Sequence, residues 1–113
     1  MTTVTFHTEG SRIVSFEVQG HSGYAPEGED IVCAAVSTLV NTLAGALAAF
    51  DCRGFRAKLQ PGDARITCAA SGATDVLFYA AVIGLAQLQN TYPNYIQMRT
   101  EGYFCADREE ESV

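Results

Sequence analysis

The sequence is poor in basic residues and in histidine, and its cysteines lack motif spacing. Lysine and arginine number 7 against 13 aspartates and glutamates, a formal net charge of -6. A general nucleic-acid binder normally carries a basic face, so the charge argues against that class. The four cysteines, Cys33, Cys52, Cys68 and Cys105, form no CxxC pair and no short metal-ligand spacing. With His7 and His21 as the sole histidines, a structural zinc site would need ligands scattered over the whole chain. No metal and no organic cofactor is therefore expected. The opening run Met1-Thr2-Thr3-Val4 has neither a basic n-region nor an apolar h-region, so no export signal is read. The thiols are then expected to stay reduced, in the cytoplasm. No internal repeat, low-complexity linker or second domain is visible. The 113 residues are expected to form one domain over 1–105, followed by an acidic tail over 106–113 that reads as a solvated end.

What is present is apolar: 48% of the residues are hydrophobic, which argues against disorder. The longest apolar run, Ile31 to Phe50, raises the question of a membrane span. It contains Ser37, Thr38, Asn41 and Thr42 and has no basic or aromatic flank on its N-terminal side, so a buried helix is the better reading and no membrane partner is expected. Val4 to His7 and Ile13 to Gln19 read as strands, with Val14, Phe16 and Val18 alternating and Glu9-Gly10-Ser11 turning the chain. Asp30 opens the first helix as its N-cap, because a carboxylate there accepts a free backbone N–H. A second strand pair is read at Phe55 to Leu59 and Ala64 to Ala69, around the turn Gln60-Pro61-Gly62-Asp63. A second helix follows at Thr74 to Gln89, ended by Tyr92-Pro93, and the last strand is read at Tyr95 to Thr100. Both helices are apolar around most of their circumference. Val76, Leu77, Phe78, Tyr79, Val82, Ile83, Leu85 and Leu88 cannot all face one sheet, so a partner surface is implied, most economically a homodimer packed through helices.

The segment from Gly20 to Ser37 carries the chemistry. His21 stands on a glycine-rich loop, and Cys33 falls at N3 of the first helix. The free amides and positive dipole end of a helix favour a thiolate, and an imidazole is its usual proton acceptor. A lone cysteine on an apolar helix also reads as a small core residue, and a histidine at a strand end as one satisfied by a carbonyl. Against that stand the first-turn position, the upstream histidine, and the small residues Ala34 and Ala35, which leave room for a substrate backbone. Gly20, Gly23 and Gly28 either close a connection or form a lid that moves on binding. Ser37, one turn after Cys33, either bonds back to the helix or lines a pocket. Asp30 caps the helix, orients His21, or does both. His7 has no neighbouring nucleophile and reads as structural. Twelve residues at up to about 3.3 Å each permit contact between His21 and Cys33 without requiring it.

The run Gly20-His21, the stretch Ser22 to Asp30, then Ile31-Val32-Cys33-Ala34 and Ser37 resembles the signature of the ribosomal-processing cysteine protease family, Prp. The resemblance extends in pattern over nearly the whole chain. It implies an α+β two-layer sandwich: a mostly antiparallel sheet of about five strands under two long helices, in the order ββαββαβ, assembled as a dimer. It also implies a cysteine endopeptidase that removes the short N-terminal extension of a precursor large-subunit ribosomal protein, so that the mature end reaches the peptidyl-transferase region. Carried onto this sequence, Cys33 is the nucleophile, His21 the general base, and Gly20, Asp30 and Ser37 supporting positions, with an apolar groove expected beside Cys33. Helix-start amides, that of Cys33 included, would stabilise the oxyanion. Two alternatives stand beside it: a non-catalytic ribosome-assembly factor binding the same precursor, and a thiol sensor, which would need a resolving cysteine near Cys33.

Overall fold

In the computed structural model, which describes residues 1–26 and 28–102, the chain runs β1 Thr2–Glu9, β2 Arg12–Gln19, α1 Ile31–Ala49, β3 Arg56–Gln60, β4 Asp63–Thr67, α2 Gly72–Thr91 and β5 Ile96–Gly102. This is the expected ββαββαβ order. Cys105 and the assigned tail over 106–113 lie outside the described residues. The strands form one sheet in the order β3-β4-β2-β1-β5. Its β1–β2, β2–β4 and β3–β4 pairs are antiparallel, and β5 joins the edge parallel to β1. The sheet is mostly antiparallel, as expected.

Register decides which residues meet the helices. Phe6 lies opposite Phe16 and Phe16 opposite Ile66, while Val4 lies opposite Val18 and Val18 opposite Ala64. All six are buried on one face. A bulge between His7 and Thr8 shifts the pairing, which is why Ile13 is buried where a strict alternation from Phe16 would turn it outward. The opposite face is polar and carries Glu17, Lys58 and Arg65, with Glu17 pairing to Arg65.

α1 buries Val32, Val36, Val40, Leu43, Ala44 and Leu47, a single stripe at helical spacing. It is the one helix among the described residues long and apolar enough to cross a membrane. Its outward residues include Ser37, Thr38, Asn41 and Thr42, as the sequence suggests. At its end Asp51 takes a left-handed φ of 53°, and the N–H groups of Asp51 and Cys52 return to Ala48 and Leu47. α2 starts two residues earlier than expected, because Ser71 and Thr74 form a reciprocal capping box. It buries Thr74, Phe78, Ala81 and Leu85, and Phe78 stands against Phe16 with ring centroids 5.6 Å apart. Val76, Tyr79 and Ile83, at helical spacing on the other side of α2, stay exposed.

Candidate active site

The loop from β2 to α1 leaves the sheet pinned at both flanks. Gly20 has φ 89°, and a Cβ there would lie 2.7 Å from the Met1 carbonyl oxygen, so only glycine fits against the N-terminus. Its N–H donates to the Gly62 carbonyl at 2.9 Å, tying the loop to the β3–β4 turn. The imidazole of the next residue, His21, lies over that same turn and is exposed. Tyr24 packs edge-on between Tyr92 and Tyr95, with centroids 5.6 and 5.3 Å away. A lid motion, expected from the loop's glycines, would have to break these contacts.

Asp30 joins the loop to the helix. Its Oδ1 accepts the Cys33 N–H at 2.9 Å, which makes it the N-cap of α1. Its Oδ2 accepts from the Ser22 hydroxyl at 2.5 Å and from the Tyr24 and Ala25 amides at 3.1 and 3.4 Å. Burial is the largest single influence on this carboxyl and would raise its pKa. The Ser22 hydroxyl and the amides of Cys33, Ala25 and Tyr24 together outweigh it and bring the pKa down from 3.8 to about 2. Asp30 therefore both caps the helix and organises the loop. Among the described residues it makes no hydrogen bond to His21; it acts on the neighbour, Ser22.

Cys33 sits at N3 of α1, half-buried, and its Sγ accepts the backbone N–H of Ser22 at 3.3 Å. The expectation that the Cys33 amide serves an oxyanion is not met in this arrangement, because Asp30 already holds that N–H. Cys33 and His21 line one cavity of about 690 Å³, together with Gly20, Asp30 and Ser37. Its apolar lining includes Val18, Val36, Val40, Leu59 and Pro61, the groove the resemblance implies. Among the described residues no hydrogen bond joins His21 to Cys33; the sulfur rests on the Ser22 amide. Ser37 lines the cavity, and its neighbour Thr38 is the one that bonds back, to the Ala34 carbonyl at 2.9 Å.

The other candidates lie elsewhere. His7 is on the polar face of the sheet, 3.5 Å from Glu17 and 3.8 Å from Glu101. Cys52 borders a separate cavity at the end of α1, and Cys68 is buried in the core. Burial, with a smaller contribution from Cys52, pushes the Cys68 thiol up to about 11. Among the described residues neither lines the cavity of Cys33, and no second cysteine borders it there. Among the described residues no group of three or more His, Cys, Asp or Glu side chains is placed to hold a metal ion.

Sequence reasoning missed two residues. Ser22 is 3% exposed and bonds Asp30, the Tyr24 amide and, through its own N–H, Cys33. Gly62 underlies His21, and only the tertiary pairing of β4 with β2, which sets Asp63 opposite Gln19, brings it there. The proximity of a hydroxyl residue to both His21 and a capping aspartate was the available signal for Ser22; none existed for Gly62.

The two-layer α+β fold thus sets a thiol at a helix start and an imidazole on the wall of one cavity. The family profile for cysteine protease Prp matches residues 1–97, and the chain belongs to that family of cysteine proteases. No curated protein sequence matches the chain. Among solved structures, an essential ribosomal processing protease Prp from S. aureus, in complex with a covalently linked product peptide, superposes with a TM-score of 0.83 at 17% identity, covering 89% of this chain and 100% of that one. The same S. aureus protease with a substrate peptide gives 0.77 at 16% identity over the same shares. SMU.848 from Streptococcus mutans gives 0.76 at 29% identity, covering 91% and 96%.

Proposed function

We propose that this cysteine protease removes the short N-terminal extension of a precursor large-subunit ribosomal protein, with Cys33 as nucleophile and His21 as general base. The observation that carries the reading is the placement of Cys33 Sγ under the Ser22 N–H, in one apolar-lined cavity with His21. His21 takes the thiol proton, and the thiolate adds to the scissile carbonyl carbon to give a tetrahedral oxyanion. The Ser22 N–H, which rests on the sulfur, is the donor best placed to turn to that oxygen as charge moves onto it. Collapse expels the amine, protonated by His21, and leaves a thioester that water hydrolyses with His21 again as base. Asp30 and Gly20 support this by fixing the loop, and Ser37 borders the path of the substrate.

The exposed stripe of Val76, Tyr79 and Ile83 on α2 supports a homodimer packed through helices, and the absence of a basic surplus fits a protein precursor rather than nucleic acid as the partner. A cytoplasmic location and a single domain over 1–105 belong to the same reading. Incubation with the precursor ribosomal protein, followed by N-terminal sequencing, tests it. One new N-terminus is expected with the native protein and none with Cys33→Ala. Cleavage by Cys33→Ala refutes the nucleophile; binding without cleavage by the native protein turns the reading into the assembly factor.

A further inference from the structure

The turn between β3 and β4, Gln60-Pro61-Gly62-Asp63, forms part of the wall of the cavity that holds Cys33. At its third residue the backbone φ is 71°. A Cβ built on Gly62 would lie 2.7 Å from His21 Nε2, 2.9 Å from Cε1 and 3.3 Å from Cδ2. The imidazole is thus seated directly on a bare α-carbon. The carbonyl of the same residue accepts the Gly20 N–H at 2.9 Å, so Gly62 holds both the main chain entering His21 and the ring itself. His21 is exposed, so any side chain at 62 would be accommodated by displacement of the ring, the softest neighbour available.

We infer that Gly62 is a positioning residue for His21: the missing side chain at the β3–β4 turn makes the seat that aims the imidazole into the cavity of Cys33. The inference rests on the reading of Cys33 and His21 as the reacting pair. A misplacement of about 1 Å in a reacting group costs on the order of 100-fold in rate, which sets the scale of the effect. Glycine at a positive φ is also explained by the backbone alone, and the molecule supplies its own control. Gly10, in the β1–β2 turn, has φ 63°, and a methyl group added there would have nothing within 4 Å. Gly10→Ala therefore imposes a similar backbone strain without touching the imidazole.

The test compares the native protein with Gly62→Ala, Gly62→Asn, Gly10→Ala and His21→Ala. Asparagine tolerates a left-handed backbone better than alanine and still carries a Cβ, so it serves where Gly62→Ala folds poorly. Two readouts are taken on protein whose folded fraction is checked by circular dichroism. One is kcat and KM on a peptide spanning the precursor junction; the other is the rate constant for iodoacetamide alkylation of Cys33 from pH 5 to 9. The other titratable groups bordering the cavity are Asp30 and Asp63. Asp30 is held near 2, and a hydrogen bond from Lys58 lowers Asp63, so both stay ionised across this range. The Gly62 variants are expected to lose kcat by about 10- to 100-fold with KM within about twofold, and to give an alkylation profile like that of His21→Ala. Gly10→Ala is expected to keep the native profile. Gly62 variants that track Gly10→Ala in both readouts overturn the positioning role. Full turnover by His21→Ala overturns the reacting pair itself, a distinct result that no Gly62 variant produces.

Discussion

Replacing Asp30 by asparagine should show how far one carboxylate holds the loop to the helix. Asparagine is as good an N-cap as aspartate, so the bond from the Cys33 N–H survives. The second oxygen does not survive. In its place stands an NH2 donor: the Tyr24 and Ala25 amides face it donor to donor, while the Ser22 hydroxyl can turn and accept from it. Losing the two amide bonds, at roughly 1 kcal/mol each, gives about 2 kcal/mol. The pKa offers a second route: a drop from 3.8 to about 2 corresponds to an upper limit of roughly 2.5 kcal/mol, which solvent screening of a partly exposed carboxylate reduces to about 1–2 kcal/mol. The two routes agree. Asp30→Asn should lower Tm at pH 7 by about 8 °C, taking roughly 4 °C per kcal/mol for a chain of this size. A lowered carboxyl pKa contributes its stability above the unfolded value of 3.8 and loses it as pH falls through about 2. The gap between native and variant should therefore be full at pH 5–7 and close between about pH 4 and 2, since pH effects common to both proteins cancel in the difference. Thermal melts followed by circular dichroism across that range provide the assay. A variant as stable as the native protein at pH 7, or a gap that persists unchanged at pH 2.5, refutes the reasoning.

Ser22→Ala removes the hydroxyl from Asp30 and Tyr24 but keeps the backbone N–H on Cys33 Sγ, so it should cost about 1 kcal/mol in urea denaturation and only a few-fold in kcat/KM. Cys68, held up at about 11 mainly by burial, should be about one part in a thousand thiolate at pH 8; peptide mapping after iodoacetamide treatment should find Cys33 alkylated and Cys68 unmodified until the protein is unfolded in guanidinium. Because that pKa is raised, the stability Cys68 contributes is complete below about pH 9 and is lost as pH rises through about 11, so melts in that range should show the native protein declining more steeply than Cys68→Ala. Phe78→Ala, which empties a fully buried site against Phe16, should destabilise by about 3–5 kcal/mol in the same urea experiment and abolish activity only through unfolding.

The order of elements was readable from periodicity because each helix buries one stripe and β1, β4 and most of β2 alternate. Its failures are local. Expecting α2 to start at Thr74 overlooked that Ser71 and Thr74 can cap each other, since the usual partner at the fourth position is Glu or Gln. Burial of Ile13 was hidden by the bulge after His7, which breaks the period of two that a strand reading depends on. At the site, Asp30 as cap and Cys33 at N3 followed from local chemistry, because an N-cap acts on residues two and three places ahead. The roles of Ser22 and Gly62 did not, because a loop that folds back on its own helix and a turn brought up by sheet pairing are set by tertiary structure.

The same geometry changes how the proposed thiolate is to be understood. From the sequence, the positive end of α1 is the feature that favours a charged sulfur. In the folded protein that end already serves an ionised carboxylate: Asp30 occupies the Cys33 amide and draws three further donors to its other oxygen. The thiolate proposed at Cys33 would compete with this carboxylate for the same donors and be repelled by it, so the helix start alone does not account for the proposed nucleophile. What Asp30 supplies instead is order in the loop. Its bond from the Ser22 hydroxyl places the Ser22 N–H on Cys33 Sγ, and the residue before Ser22 is His21. The carboxylate thus weakens one source of stabilisation and secures two others, a backbone donor at the sulfur and an imidazole on the same cavity wall. A capping serine or threonine would lack the second oxygen and, with it, the means to hold the helix amide and the loop together.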